Sequence, residues 1–258
     1  APTADNSAGA GATPTAGSVK IDGSNLGSAL AGTIAATRLT ANTSSGFSIV
    51  GYAGTGVNAT VAHGLSSAPT LVIIKDRDTG GTSWITGSTN IKSDFQGYFE
   101  LNEETTGATS STVFQDTPPS ATVFSIGSHT HVNDSSDDYI AYCFHSVEGF
   151  SSVGNYYTGN ADADGPFFLT SFRPGFAMIK KISGSGPWLI YDDKRIGFNP
   201  NNYWTQAQVA TAENTAVHID MLSNGIKIRR SHADENGSGD TYFVLAFAEY
   251  PFKYSLSR

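Results

Sequence analysis

Apolar residues in this chain come in short bursts divided by turn residues. Thr70-Leu71-Val72-Ile73-Ile74-Lys75 is a continuous apolar run, the pattern of a strand buried on both faces. Around it lie Phe47–Tyr52, Ala59–His63, Ser83–Ile85, Tyr98–Leu101, Thr112–Phe114, Ala121–Ile126 and Tyr139–Phe144. A second series follows in Pro166–Thr170, Phe176–Lys180, Pro187–Tyr191, Ile219–Leu222, Ile226–Arg229 and Asp240–Phe247. No helical period of any length separates these bursts, so the pattern predicts an all-β protein. Ser223-Asn224-Gly225 marks a hairpin turn, and the alternation in Ile226-Lys227-Ile228-Arg229 gives the strand after it one wet face. The apolar runs supply the expected core: Leu71, Ile73, Tyr142, Phe144, Phe176, Met178, Leu245 and Phe247.

The two series are copies of one another. Gly46-Phe47-Ser48-Ile49-Val50-Gly51 returns as Gly149-Phe150-Ser151-Ser152-Val153-Gly154, and Asp138–Phe144 is echoed by Tyr242–Phe247. Between these ends, Pro69 precedes Lys75 as Pro174 precedes Lys180, and Trp84 and Trp188 follow in the same order. An internal repeat of this size predicts two tandem β-sandwich, jelly-roll-like domains, residues 46–148 and 149–258. They should meet near Val147-Glu148-Gly149.

Residues 1–45 stand apart, because all the aromatics of the chain lie from Phe47 onward. The opening is an Ala/Gly/Thr/Pro tract with almost nothing to bury. Val19, Ile21, Leu26, Leu30, Ile34 and Leu39 follow as single, widely spaced aliphatics. We therefore expect 1–45 to be an extended assembly segment, with residues 19–40 ordered through contacts with other copies of the chain.

Composition narrows the partners. The net charge is −8, with 15 basic against 23 acidic residues, and a dispersed acidic surface excludes the concentrated basic face that nucleic acid requires. No apolar run is long enough to cross a membrane as a helix. Cys143 is the single cysteine and sits in an apolar run, which predicts a buried, inert thiol and no intrachain disulfide. The first residue is Ala, consistent with a processed start or with a piece of a longer protein.

No specific catalytic signature is present: no GxSxG, no P-loop, no HExxH and no cysteine pair. His129-Thr130-His131 would present two imidazoles on one strand face, but its flanks read as a loop. Asn160–Gly165 has oxygen ligands at alternate positions yet lacks the acid that closes a calcium loop, so it reads as a turn. We expect no metal and no cofactor. Asn42, Asn58, Asn133 and Asn236 head glycosylation sequons of the kind that Asn- and Ser-rich composition produces by itself. Tyr156, Tyr157, Tyr203 and Trp204 stand in polar, turn-like company, where aromatic faces can stack on sugar rings, and are the expected receptor contacts.

The repeat also carries a resemblance. GFSIVGYAGTG, VAHGLSSAPTLVIIK and YIAYCFHSVEGF in the first copy resemble a C-terminal domain of tail fibre proteins from tailed phages of the marine and cyanophage type. So do GFSSVGNYYTGN, RPGFAMIK and TYFVLAFAEYPFKY in the second. The resemblance spans about residues 46–254. It implies a structural, adhesive virion surface protein that is not an enzyme. Such a protein forms a homotrimer, joins other virion proteins and binds a host surface glycan. The chain departs from a full fibre in lacking the long adaptor region. A polysaccharide depolymerase, with carboxylates drawn from Glu103, Glu104, Asp192, Asp193 and Asp220, remains a second reading. A subunit of a cellular extracellular filament or adhesin is a third.

Overall fold

The computed structural model describes residues 17–195, 198–201, 203–216 and 218–251, apart from the side chain of Ser93. The expectations for residues 1–16 and for the tail after Pro251 lie outside the described residues. The protein is all-β. It divides into two compact units: unit 1 runs to Glu100 and resumes at Ala108–His145, and unit 2 takes Leu101–Gly107 and the chain from Ser146.

Unit 1 begins with β1 (Val19–Ile21), β2 (Ser24–Asn25), β3 (Ala36–Asn42), β4 (Phe47–Ala53) and β5 (Ala59–Ala62). The run predicted as a central strand forms β6 (Leu71–Asp76), and β7 (Ile85–Ser88) starts at the last residue of the expected Ser83–Ile85 strand. After the short turn α1 (Lys92–Phe95) come β8 (Gly97–Glu100) and β9 (Ala108–Thr109). The unit closes with α2 (Ser111–Phe114), β10 (Val123–Ile126), α3 (Thr130–Asn133) and β11 (Asp138–Phe144). Its large sheet has the order β2-β1-β3-β4-β11-β6-β7-β8-β9, and β5 pairs with β10 as a small second sheet. The core lies between them: Val50, Val72, Ile74, Ala141 and Cys143 from the large sheet face Val61, Phe124 and Ile126 from the small one.

Unit 2 contains β12 (Ser151–Thr158), β13 (Phe167–Leu169), β14 (Pro174–Lys181), β15 (Trp188–Asp192) and β16 (Thr205–Gln206). These are followed by β17 (Ile219–Leu222), β18 (Gly225–Ile228), α4 (Ala233–Asn236) and β19 (Thr241–Ala248). The large sheet is β12-β19-β14-β15-β16 and the small one β13-β18-β17. The central neighbours β4-β11-β6-β7 of unit 1 and β12-β19-β14-β15 of unit 2 thus follow the same order, opening strand beside closing strand.

The repeated Pro-x5-Lys pattern has a physical basis. Lys75 on β6 donates to the carbonyl and hydroxyl of Thr82 at 2.9 and 2.6 Å, tying down the turn before β7. Lys180 on β14 donates to Gly186 O at 2.8 Å and to Thr105 O at 3.1 Å, so in unit 2 it also holds the inserted Leu101–Gly107 segment. Lys180 is fully buried, and burial pushes its pKa down to about 8.

Three expectations are corrected. Residues 18–45 do not stand apart as an extended segment. β3 pairs with β4 along its length, β1 pairs with β3, and Val19 and Leu39 are buried in the core of unit 1. Leu26, Leu30 and Ile34 pack against that same core, so these aliphatics are shielded within one chain. Thr112–Phe114 lies in the one-turn helix α2 instead of a strand. Of the eight expected core residues, Leu71 and Leu245 are buried, whereas Ile73, Tyr142, Phe144, Phe176, Met178 and Phe247 lie half-buried on the opposite sheet faces.

Candidate functional site

The sites of interest grow from one local device built twice. In unit 1, His129 caps α3, its Nδ1 accepting the His131 N–H at 3.2 Å. Asn133, fully buried, ends the turn; its Nδ2 donates to Val57 O (2.6 Å) and Gly127 O (2.8 Å) while its Oδ1 accepts the Thr55 N–H (2.7 Å). Two stacked tyrosines, 5.3 Å between ring centroids, then reach the turn. Tyr52 donates to Val132 O, and Tyr139 donates to Thr130 O and accepts from Asp134 N–H.

Unit 2 repeats this clasp with the same histidine, asparagine and tyrosine pair. His232 caps α4 through the Asp234 N–H. Asn236 donates to Asp162 O (2.7 Å) and Arg230 O (2.9 Å) and accepts from Asn160 N–H (2.8 Å). Tyr157 and Tyr242 stack at 5.1 Å; Tyr157 donates to Glu235 O, and Tyr242 donates to Ala233 O and accepts from Gly237 N–H. Each buried amide satisfies three backbone groups that would otherwise be stranded, which is why a short turn can be held so far from its sheet neighbours.

The clasp resolves several sequence candidates. His129 of His129-Thr130-His131 has its Nδ1 committed as a helix cap, and burial, then the neighbouring His131, lowers its pKa. Asn133 and Asn236, read as sequons, are interior clasp residues. In Asn160–Gly165, Asn160 Oδ1 and Asp162 Oδ1 accept backbone N–H groups two residues on, and Asp164 pairs with Lys227 at 2.7 Å. That is turn chemistry. Among the described residues no group of three or more His, Cys, Asp or Glu could hold a metal ion.

The four aromatics expected to meet a receptor do not share a surface. Tyr157 belongs to the clasp and Trp204 to the core of unit 2, so both are buried; Tyr203 is half-buried, and Tyr156 on β12 is exposed. Four of the five candidate carboxylates of the enzymatic reading have separate partners. Asp192 pairs with Arg195, Asp193 with Lys194 and Asp220 with Arg229, and Glu104 accepts a hydrogen bond from Gln208.

An exposed candidate surface is the outer face of the small sheet of unit 2. Strand alternation sends Phe168, Ile226, Ile228 and Met221 inward and leaves Phe167, Leu169, Lys227, Asp220 and Leu222 outward. By register Phe167, Lys227 and Asp220 stand side by side across the three strands, and Leu169, Gly225 and Leu222 form the next row. Phe167 is 43 % exposed and its ring packs against Gly225, where a Cβ would come within 2.3 Å of the Phe168 carbonyl oxygen and 2.5 Å of ring carbon Cζ. Only glycine leaves room for both there. Beside it a groove of about 560 Å³ is lined by Ala163, Asp164, Asn199, Pro200, Asp220 and Arg229. The charges are balanced in pairs, Asp164 with Lys227 and Asp220 with Arg229 at 3.3 Å. The Lys227 ammonium beside Asp164 holds that carboxyl below its usual range.

A buried acid–base cluster lies beneath α4. His218 Nδ1 is 2.8 Å from Tyr191 Oη and 3.1 Å from Glu235 Oε1, and the Trp204 ring is 4.7 Å from the imidazole. Arg230 donates to His218 Nε2. Because a guanidinium only donates, Nε2 must be the acceptor and the imidazole proton sits on Nδ1. Neither carboxyl oxygen of Glu235 has a hydrogen bond of acceptable geometry, despite the short approach to Nδ1. Burial pushes Glu235 up to about 8 and His218 down to about 3. His218 therefore stays neutral, and Glu235 carries a proton at neutral pH. In sequence these two residues lie 17 apart with no motif to join them; only the fold brings them together.

No curated protein and no solved structure matches this chain. One family does, over residues 7–251, and the chain thereby belongs to the family described as "Domain of unknown function (DUF7483)".

Proposed function

We propose that this protein is a structural and adhesive component of a phage virion fibre, acting as a homotrimer at the particle surface and holding a host surface saccharide. The observation that carries the adhesive part is the outer face of the small sheet in unit 2. A solvent-exposed Phe167 ring packed against Gly225 offers a stacking platform to the C–H face of a sugar. The adjoining groove offers Asp164 and Asp220 as hydroxyl acceptors and Arg229 as a donor. Their charges cancel in pairs, which suits an uncharged saccharide. The virion assignment, the trimer and the fibre partners rest on the resemblance of the repeated segments to phage tail fibre domains.

The test is binding of the full chain to an array of neutral and acidic surface glycans, followed by titration of the best ligand. Phe167→Ala is expected to weaken that ligand about tenfold, roughly 1.4 kcal/mol, while leaving the melting temperature nearly unchanged. Failure of the parent chain to bind any saccharide, or equal affinity in the variant, would count against this face as the adhesive site.

A further inference from the structure

Position 235 is where the two clasps differ in kind. Its counterpart 103 residues earlier is Val132, buried and apolar, whereas unit 2 places there a carboxyl with neither oxygen hydrogen-bonded. We propose that Glu235 is an interior proton-binding site that latches α4 onto unit 2, the neutral carboxyl lying beneath the turn and the ionised one withdrawing towards solvent and loosening it.

The surroundings leave an ionised Glu235 nowhere to stay. Tyr157 from β12, Tyr191 from β15 and Tyr242 from β19 face it, and each is neutral at ordinary pH. His218, ahead of β17, accepts from Arg230 at Nε2 and has its Nδ1 2.8 Å from Tyr191 Oη and 3.1 Å from Glu235 Oε1; kept neutral by burial, it brings no charge to Glu235. Asp234, its neighbour on α4, repels it. The cation within reach is Arg230, 4.0 Å from Oε1, and the neighbouring His232 Nδ1 lies 3.8 Å from Oε2. The Arg230 side chain is 34 % exposed, whereas that of Glu235 is 0 %. A charge drawn to Arg230 is drawn outward, and the backbone of α4 carries Glu235 between the two groups that anchor the clasp, Ala233 O and Asn236.

The direction with pH follows from the shifts. Glu235 sits near 8 in the fold against an ordinary 4.5, so its proton stabilises the fold fully below 4.5 and that contribution is lost as pH rises through 8. His218 sits near 3 against an ordinary 6.5, so its neutral form stabilises fully above 6.5 and that contribution is lost as pH falls through 3. Between 4.5 and 6.5 the two slopes cancel. Above 6.5 Glu235 acts alone, and the latch slackens on the alkaline side.

Hydrogen exchange on the full chain at pH 6 and pH 9, expressed as protection factors, reads this directly. The amides of Asn236 and Gly237 at the end of α4 should lose at least about tenfold in protection between the two, while Asn133 and Asp134 at the end of α3 should hold theirs. Glu235→Gln and Glu235→Val should both abolish the pH dependence at α4; the second installs the residue unit 1 already uses. Equal responses of α3 and α4 in the unmodified chain would overturn the latch, a comparison that needs no variant to fold. So would a pH dependence that survives in either variant.

Discussion

Asn236→Ala is expected to destabilise unit 2 by about 4 kcal/mol, and Asn133→Ala to do the same to unit 1. Each amide is fully buried and makes three hydrogen bonds to backbone groups from two different segments. Truncation strands a buried N–H and two carbonyls, and each stranded group costs on the order of 1–3 kcal/mol. Some relief from entering water keeps the sum below three full penalties. Denaturant unfolding followed by the intrinsic fluorescence of each unit measures it: Trp84 lies in unit 1, Trp188 and Trp204 in unit 2. A loss under 1 kcal/mol in either unit would mean that the clasp is decorative and that the sheets alone hold the turn.

Val132→Glu is the second large effect. It transplants the acid of unit 2 into unit 1 without the histidine and arginine that accompany it. Val132 is fully buried among apolar residues of the unit 1 core, so the new side chain must enter protonated or unpaired. A cost of about 3–5 kcal/mol is expected at neutral pH, rising with pH because the unfolded chain ionises freely while the fold resists it. The reverse change, Glu235→Val, should be close to neutral at pH 6, since replacing a buried ionisable group by an apolar one of similar shape is often tolerated. Thermal melts of both variants at pH 6 and pH 8 check the pair. Val132→Glu melting like the parent chain would show that position 132 is not the sealed site described here.

What the sequence revealed and what it hid have the same cause. Strand bursts, their turns and the duplication are local, and they reappear as β4 to β11 and β12 to β19 with matching neighbour order. The phase of the long apolar runs was not legible. In Leu71–Asp76 the core takes Val72 and Ile74 and leaves Ile73 half-buried, and in Asp138–Phe144 it takes Ala141 and Cys143 instead of Tyr142 and Phe144. Runs with apolar residues on both faces carry no alternation from which to read the inner one. Tyr142 and Phe144 went to the other face, where Phe47 stacks on Phe144 at 4.7 Å and Trp84 on Tyr142 at 6.2 Å.

The N-terminal aliphatics misled for a related reason. Spaced singly, Val19, Leu26 and Leu39 read as too few for a core, yet each needs only a place on the edge of a sheet that later residues build. The clasp was visible in part: His129 and Asn133 recur as His232 and Asn236 at an offset of 103. That spacing, compared between the copies, also marks the odd pair Val132 and Glu235. The partners of both asparagines are backbone groups up to 78 residues away, and nothing in a sequence announces those.

A chain that acts as the proposed adhesive fibre must be displayed on a phage particle. Immunogold electron microscopy of particles from the native source, with antibody raised against the purified chain, shows whether it is. Gold along thin projections at the particle surface is expected; unlabelled particles beside gold on cellular filaments would contradict the proposal.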